Sequence, residues 1–174
     1  MKRIFLIISI LSSSLISFSQ QKYDIDFTQT KVLIASGNTT EKAGHLIYDG
    51  NDHLTMDYTN PEGDYFSIEG NQVKINLDGN KKEYNADKVK PVKLQRATLL
   101  NCLSGNWEQA TVDNNAEATT TEESGFRTIE IKAKGRVPRG GYESVTLTYR
   151  ITDGTLVKMV LDEGVAVNTY EMRL

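Results

Sequence analysis

Apolar residues recur at every second position through much of this chain. Leu54, Met56 and Tyr58 share one parity, and so do Val73, Ile75 and Leu77, with Lys74 and Asn76 between them. Ile129, Ile131 and Ala133 repeat the arrangement, as do Val145, Leu147, Tyr149 and Ile151. Shorter cases are Tyr23, Ile25 and Phe27, then Leu46 with Tyr48, then Phe66 with Ile68. Side chains on a strand alternate between faces, so each run predicts a strand with one apolar face and one wet face. Between the runs lie Asp49-Gly50, Glu69-Gly70-Asn71, Asp78-Gly79-Asn80, Asp153-Gly154 and Glu163-Gly164, residues that accept positive φ and close tight hairpins. Strands joined this way are antiparallel neighbours, and the pattern predicts a meander. A long meander with one apolar face packs on a second layer or curls around that face.

Two segments depart from this period. From Pro91 to Ser104, Val92, Leu94, Ala97, Leu99, Leu100 and Leu103 sit among good helix formers, with proline near the start and Gly105 just past the end. This is a helix of three to four turns, and the concave face of the curled sheet is its natural partner. The C-terminal pair, Thr155 to Glu163 and Val165 to Leu174, loses clean alternation. Leu156, Val157, Val160 and Leu161 predict a strand covered on both sides. Val165 and Val167 change parity against Tyr170, Met172 and Leu174, which predicts a bulge there.

The first residues place the chain. Lys2 and Arg3 precede an apolar, serine-broken stretch from Ile4 to Ile16, and Ser17 and Ser19 are small residues of the kind a signal peptidase reads. The stretch falls short of the roughly 20 apolar residues of a membrane span. The expectation is an exported protein of the periplasm, residues 1–19 removed after Ser19, with one domain over residues 20–174. Net charge is −3, and loss of Lys2 and Arg3 takes it to −5. A mildly acidic surface argues against nucleic acid and against anionic headgroups, which attract clustered Lys and Arg. The single cysteine, Cys102, makes no internal disulfide, so packing alone holds the domain.

Candidate chemistry is sparse. There is no G-x-S-x-G elbow, no H-E-x-x-H and no P-loop glycine pattern, so no enzyme, cofactor or metal is expected. His45 and His53 fall opposite the apolar parity and are expected at solvent. The Asp49 to Asp52 run lacks the spaced oxygen ligands of a calcium loop and reads as a hairpin turn. Cys102 has no sequence-near histidine and is expected as a small buried thiol. Arg136 and Arg139, with Lys132 and Lys134, make a basic hairpin tip.

The order of the pieces carries a resemblance. Phe27-Thr28-Gln29 opens the domain, and Gly44-His45-Leu46-Ile47-Tyr48 forms a G-x-L strand. Leu54 to Pro61 is an aromatic strand ending in proline, followed by Glu69-Gly70-Asn71-Gln72-Val73, the mid-chain helix and a terminal hairpin at Asp153-Gly154-Thr155. This order resembles the outer-membrane lipoprotein carrier proteins of the LolA type over essentially the whole mature chain. The resemblance implies a mainly β fold with one to two helices: an incomplete antiparallel β-barrel with a helical lid over an apolar concave face. It implies a monomeric periplasmic carrier that shields the acyl chains of lipoproteins between an inner-membrane release complex and an outer-membrane receptor. The alternative on the same scaffold is a lipid- or lipoprotein-sensing binding module. The expected ligand-binding residues are Phe27, Leu46 and Tyr48, then Leu54, Met56 and Tyr58, then Phe66, Ile68, Val73, Ile75 and Leu77. Leu99, Leu100 and Leu103 are the expected lid. The chain departs from the family where Tyr48-Asp49-Gly50-Asn51 lacks a lid-latching arginine, where Met56 replaces a tryptophan, and in its short segment before Phe27.

Overall fold

The structure is a computed structural model that describes residues 21–137 and 139–173. The leader, the cleavage point after Ser19 and Leu174 lie outside the described residues. Eleven strands form one antiparallel sheet. Six come first: β1 (Tyr23–Leu33), β2 (Thr39–Tyr48), β3 (His53–Asn60), β4 (Glu62–Glu69), β5 (Gln72–Leu77) and β6 (Asn80–Asn85). The helices α1 (Lys90–Leu103) and α2 (Trp107–Asp113) follow. Then come β7 (Ala116–Glu123), β8 (Phe126–Ala133), β9 (Ser144–Arg150), β10 (Leu156–Asp162) and β11 (Ala166–Arg173).

The sheet order is β6-β5-β4-β3-β2-β1-β11-β10-β9-β8-β7. It is therefore two meanders, joined where β1 pairs with β11, rather than one uninterrupted meander. The helices make this possible, because they carry the chain from the edge strand β6 to the opposite edge strand β7. The barrel stays open between those edges. Both edge strands escape the alternation rule: Asn80–Asn85 reads NKKEYN and Ala116–Glu123 reads AEATTTEE, polar or small apart from Tyr84, which lines the cavity. Charged, mostly solvated strands of this kind guard a sheet edge against pairing with other chains.

The sheet is strongly curled. Strands β5 and β10 are separated by six strand steps in the sheet order. At about 4.8 Å per step, a flat sheet would hold them nearly 30 Å apart. Ile75 of β5 and Met159 of β10 nevertheless line one cavity.

Helix α1 begins with Pro91 in its first turn and occupies nearly the segment expected. Helix α2 lacks an amphipathic signature. Ala110 is its one buried residue, and Val112 is 72% exposed.

The C-terminal hairpin differs from expectation in an instructive way. The irregularity lies in β10, where the register to β9 shifts between Leu156 and Lys158. That shift puts Leu156, Met159 and Leu161 on the buried side and leaves Val157 and Val160 half-buried. The strand is bulged, not covered on both sides. Strand β11 pairs with β1 and β10 in unbroken register. Its inward residues are Ala166, Asn168, Tyr170 and Met172, while Val165 is 71% exposed. A polar asparagine sits inward where the valines suggested an apolar position.

Candidate functional site

The concave face and α1 enclose a partly open cavity of about 570 Å³. Its walls are built strand by strand from the inward parity. Leu46 comes from β2, Leu54, Met56 and Tyr58 from β3, Phe66 from β4, and Val73, Ile75 and Leu77 from β5. Met159 and Leu161 close the opposite side from β10. Helix α1 contributes Val92, Gln95, Arg96, Leu99 and Leu103, positions spaced three or four apart and therefore on one helical face. Its other face is held against protein. The Thr98 hydroxyl accepts from Asn114 Nδ2 at 2.8 Å, and the Cys102 carbonyl accepts from the Tyr149 hydroxyl at 2.9 Å. Arg96 Nε donates to the Gly70 carbonyl at 2.6 Å, fastening the helix to the β4–β5 turn. No arginine follows β2, but a cation on the helix itself makes this attachment.

One end of the interior is polar. The parity that buries Tyr23 and Phe27 continues along β1 to Gln29 and Lys31, both in the cavity wall. Across the β1–β11 ladder Gln29 lies opposite Tyr170 and Lys31 opposite Asn168. Gln29 Nε2 donates to Asn168 Oδ1 at 3.0 Å and to the Tyr170 hydroxyl at 3.2 Å. The Tyr58 hydroxyl donates to Gln29 Oε1 at 2.8 Å. Burial pushes the Tyr58 and Tyr170 phenols well above their ordinary range, so both stay neutral hydrogen-bonding groups. Behind Tyr58, Lys42 reaches Asp64 at 2.6 Å and Asp78 at 2.9 Å. Burial alone would lower the Lys42 pKa, but the hydrogen bonds to Asp64 and Asp78 outweigh it and hold the ammonium charged. The Lys42 hydrogen bond in turn holds the Asp64 carboxyl below its usual range.

Ten of the residues singled out from sequence lie in the cavity wall: Leu46, Leu54, Met56, Tyr58, Phe66, Val73, Ile75, Leu77, Leu99 and Leu103. Four are placed elsewhere. Phe27 is 1% exposed, with its ring edge-on to Tyr58 and beside Tyr170. It lies over Gly44, where any Cβ would meet the Phe27 ring at 3.0 Å and collide with the Asp57 carbonyl. Tyr48 stacks on Tyr23 and donates to the Asn51 carbonyl at 3.2 Å. Ile68 is fully buried, and Leu100, on a different side of α1 from Leu99, is 9% exposed. These four belong to the packed core around the cavity. The sequence reading missed Gln29, Lys31 and Asn168. Continued parity from Phe27 would have found the first two, whereas Asn168 required the register with β1.

The remaining candidate groups have structural occupations. His45 bridges the outward-facing Asp26 and Asp24 at 2.8 Å each, which raises its pKa. His53 lies 3.1 Å from Asp49 and 3.0 Å from Asp52, a solvent-side group close enough together to hold a cation. Asp49 Oδ1 there accepts the backbone N–H groups of Asn51 and His53 and so shapes the turn. The Cys102 thiol is wholly buried, and burial raises its pKa to about 12. No helix among the described residues is long and apolar enough to cross a membrane.

Fold and cavity thus define an open antiparallel barrel with an apolar slot beneath a helix. No family model and no curated protein matches the chain. Solved structures similar to it include a LolA superfamily protein from Nitrosomonas europaea, 7% identical, covering 89% of this chain and 85% of that one, with a TM-score of 0.41. The lipoprotein LppX of Mycobacterium tuberculosis is 12% identical, covering 90% and 87%, with a TM-score of 0.34. A putative outer membrane lipoprotein-sorting protein domain from Vibrio parahaemolyticus is 6% identical, covering 89% and 86%, with a TM-score of 0.37.

Proposed function

We propose that this protein carries acyl chains by holding them in the slot between the curled sheet and α1. The supporting observation is the cavity itself. Its volume of about 570 Å³ falls within the roughly 300–1,000 Å³ typical of small-ligand sites. Its wall is aliphatic and aromatic from Leu46 through Leu77 and again at Leu99, Leu103, Met159 and Leu161. Each acyl methylene removed from water contributes about 0.8 kcal/mol, so a dozen of them supply about 10 kcal/mol before the costs of association. No covalent chemistry is needed, because capture follows from the hydrophobic effect in a slot that is already partly open.

The finer reading is a periplasmic chaperone, exported by its leader and acting as a monomer, that transfers acylated lipoproteins from an inner-membrane release complex to an outer-membrane receptor. Native mass spectrometry of the protein isolated from its own periplasm without detergent tests it. Co-purifying acylated proteins or peptides are expected. A bare protein that also leaves an environment-sensitive fatty-acid probe dark contradicts acyl carriage.

A further inference from the structure

The interior is not uniformly greasy, and its polarity has a direction. Along β1 the inward residues pass from Tyr23 and Phe27 to Gln29 and Lys31. On β3 they pass from Leu54 and Met56 to Tyr58, and on β11, read toward its start, from Met172 to Tyr170 and Asn168. The antiparallel registers bring the polar members to the same end, the one closed by the β1–β2, β3–β4 and β10–β11 hairpins. A slot made only for hydrocarbon has no use for this.

The hydrogen bonds at that end leave a definite remainder. Tyr58 gives its proton to Gln29, and Gln29 gives its own to Asn168 Oδ1 and Tyr170. Asn168 is 6% exposed and lines the cavity. Its Oδ1 is occupied, and its Nδ2 has no protein acceptor among the described residues. Lys31, opposite Asn168 across the β1–β11 ladder, and Arg139, an exposed residue of the loop between β8 and β9, both line the cavity with no carboxylate within ion-pair distance among the described residues. Arg96, also in the wall, has its Nε committed to Gly70. The acid in the wall is Glu163, whose pKa is raised first by burial and by Asp162, against the opposing pull of Lys31. Cations therefore outnumber acid in the wall, and the buried amide presents donors.

We propose that the slot takes an anionic acyl amphiphile, its carboxylate or phosphate head seated at Asn168 and Lys31 and its chain laid along Met56, Ile75 and Leu99. This rests on the acyl-carrying role and adds to it a head-group preference and an orientation of the bound chain. Charge-assisted hydrogen bonds are stronger than neutral ones, so the head contributes affinity as well as orientation.

The test compares ligands of one chain length: dodecanoate, dodecyl phosphate, dodecanol and dodecyltrimethylammonium, each displacing a fluorescent fatty-acid probe at neutral pH. The two anions are expected to bind about tenfold or more tightly than the alcohol, with the ammonium weakest. The ratio between carboxylate and phosphate identifies which head the site prefers. Lys31→Met and Asn168→Leu, each confirmed folded by its thermal transition, are expected to narrow the gap between dodecanoate and dodecanol to about twofold. Equal affinities for all four ligands in the wild type would overturn the head-group site while leaving acyl carriage standing. Variants that weaken all ligands alike, with the gap kept, would also overturn it. Failure of every ligand to displace the probe would remove both.

Discussion

Leu99 and Leu100 are neighbours on α1 with opposite surroundings, and truncating each separates cargo contact from core packing. Leu99 lies in the cavity wall and is only partly buried. Leu100 is 9% exposed, lies outside the wall and packs in the core. Leu100→Ala removes atoms that the surrounding core cannot fully replace, a loss of about 2–5 kcal/mol. For a chain of this size that corresponds to a fall of about 4–20 °C in Tm. Leu99→Ala removes surface that already faces the slot, so its stability cost is below about 1 kcal/mol. Its effect falls on cargo: losing part of the contact with two or three methylenes is worth about 1–2 kcal/mol, or about fivefold to thirtyfold in Kd. Differential scanning calorimetry and titration of a fluorescent fatty-acid probe on both variants give the two numbers. The expected result is a crossed pattern, with Leu100→Ala losing mainly Tm and Leu99→Ala mainly affinity. Equal losses of both in the two variants would refute the division of α1 into a cavity face and a core face.

Three further outcomes follow from the same geometry. Gly44→Ala places a methyl against the Phe27 ring and the Asp57 carbonyl, and is expected to cost about 1–3 kcal/mol, read as a lower urea midpoint; an unchanged midpoint would contradict the close approach of Phe27 and Asp57 to Gly44. His45, hydrogen-bonded to Asp26 and Asp24, has its pKa raised above 6.5 by those bonds, so its contribution is full below that pH and is lost as pH rises through the folded value. Because the side chain is 39% exposed, the effect stays below about 1 kcal/mol and is screened by salt. His45→Gln should therefore destabilise more at about pH 6 than at about pH 9, and a pH-independent difference would contradict the ion pairs. The Cys102 thiol, wholly buried with its pKa near 12, is expected to react with a thiol reagent only as fast as the protein unfolds. Rapid labelling under native conditions would place it at an accessible surface.

Much of the barrel was legible because period-two alternation is a direct print of a half-buried strand. Runs such as Val145 to Tyr149 and Leu54 to Tyr58 occupy the strands and the face that their parity indicates. What escaped notice was structure whose stabilisation is not local. The edge strands β6 and β7 are polar or small apart from Tyr84 and carry no apolar alternation, so only pairing with β5 and β8 reveals them. The β10 bulge scrambles parity over Leu156 to Leu161 in a way that mimics a strand covered on both sides. At the candidate site, the apolar wall was readable and the polar end was not. Gln29 and Lys31 keep the parity of Phe27 but resemble solvent-facing residues by type, and Asn168 is placed inside only by the β1–β11 register. Distinguishing Leu99 from Leu100, or Met56 from Phe27, depends on where α1 and the rings settle, and local alternation carries no trace of that.

The central claim is that hydrocarbon from outside the chain occupies the slot under α1. A fatty acid bearing a photoreactive group near its methyl end, cross-linked to the protein and mapped by peptide mass spectrometry, tests it most directly. Labels are expected on cavity-wall residues such as Met56, Phe66, Ile75 and Leu99. Labels confined to exposed apolar residues such as Ile47, Val112 and Val165, with none in the wall, would contradict it.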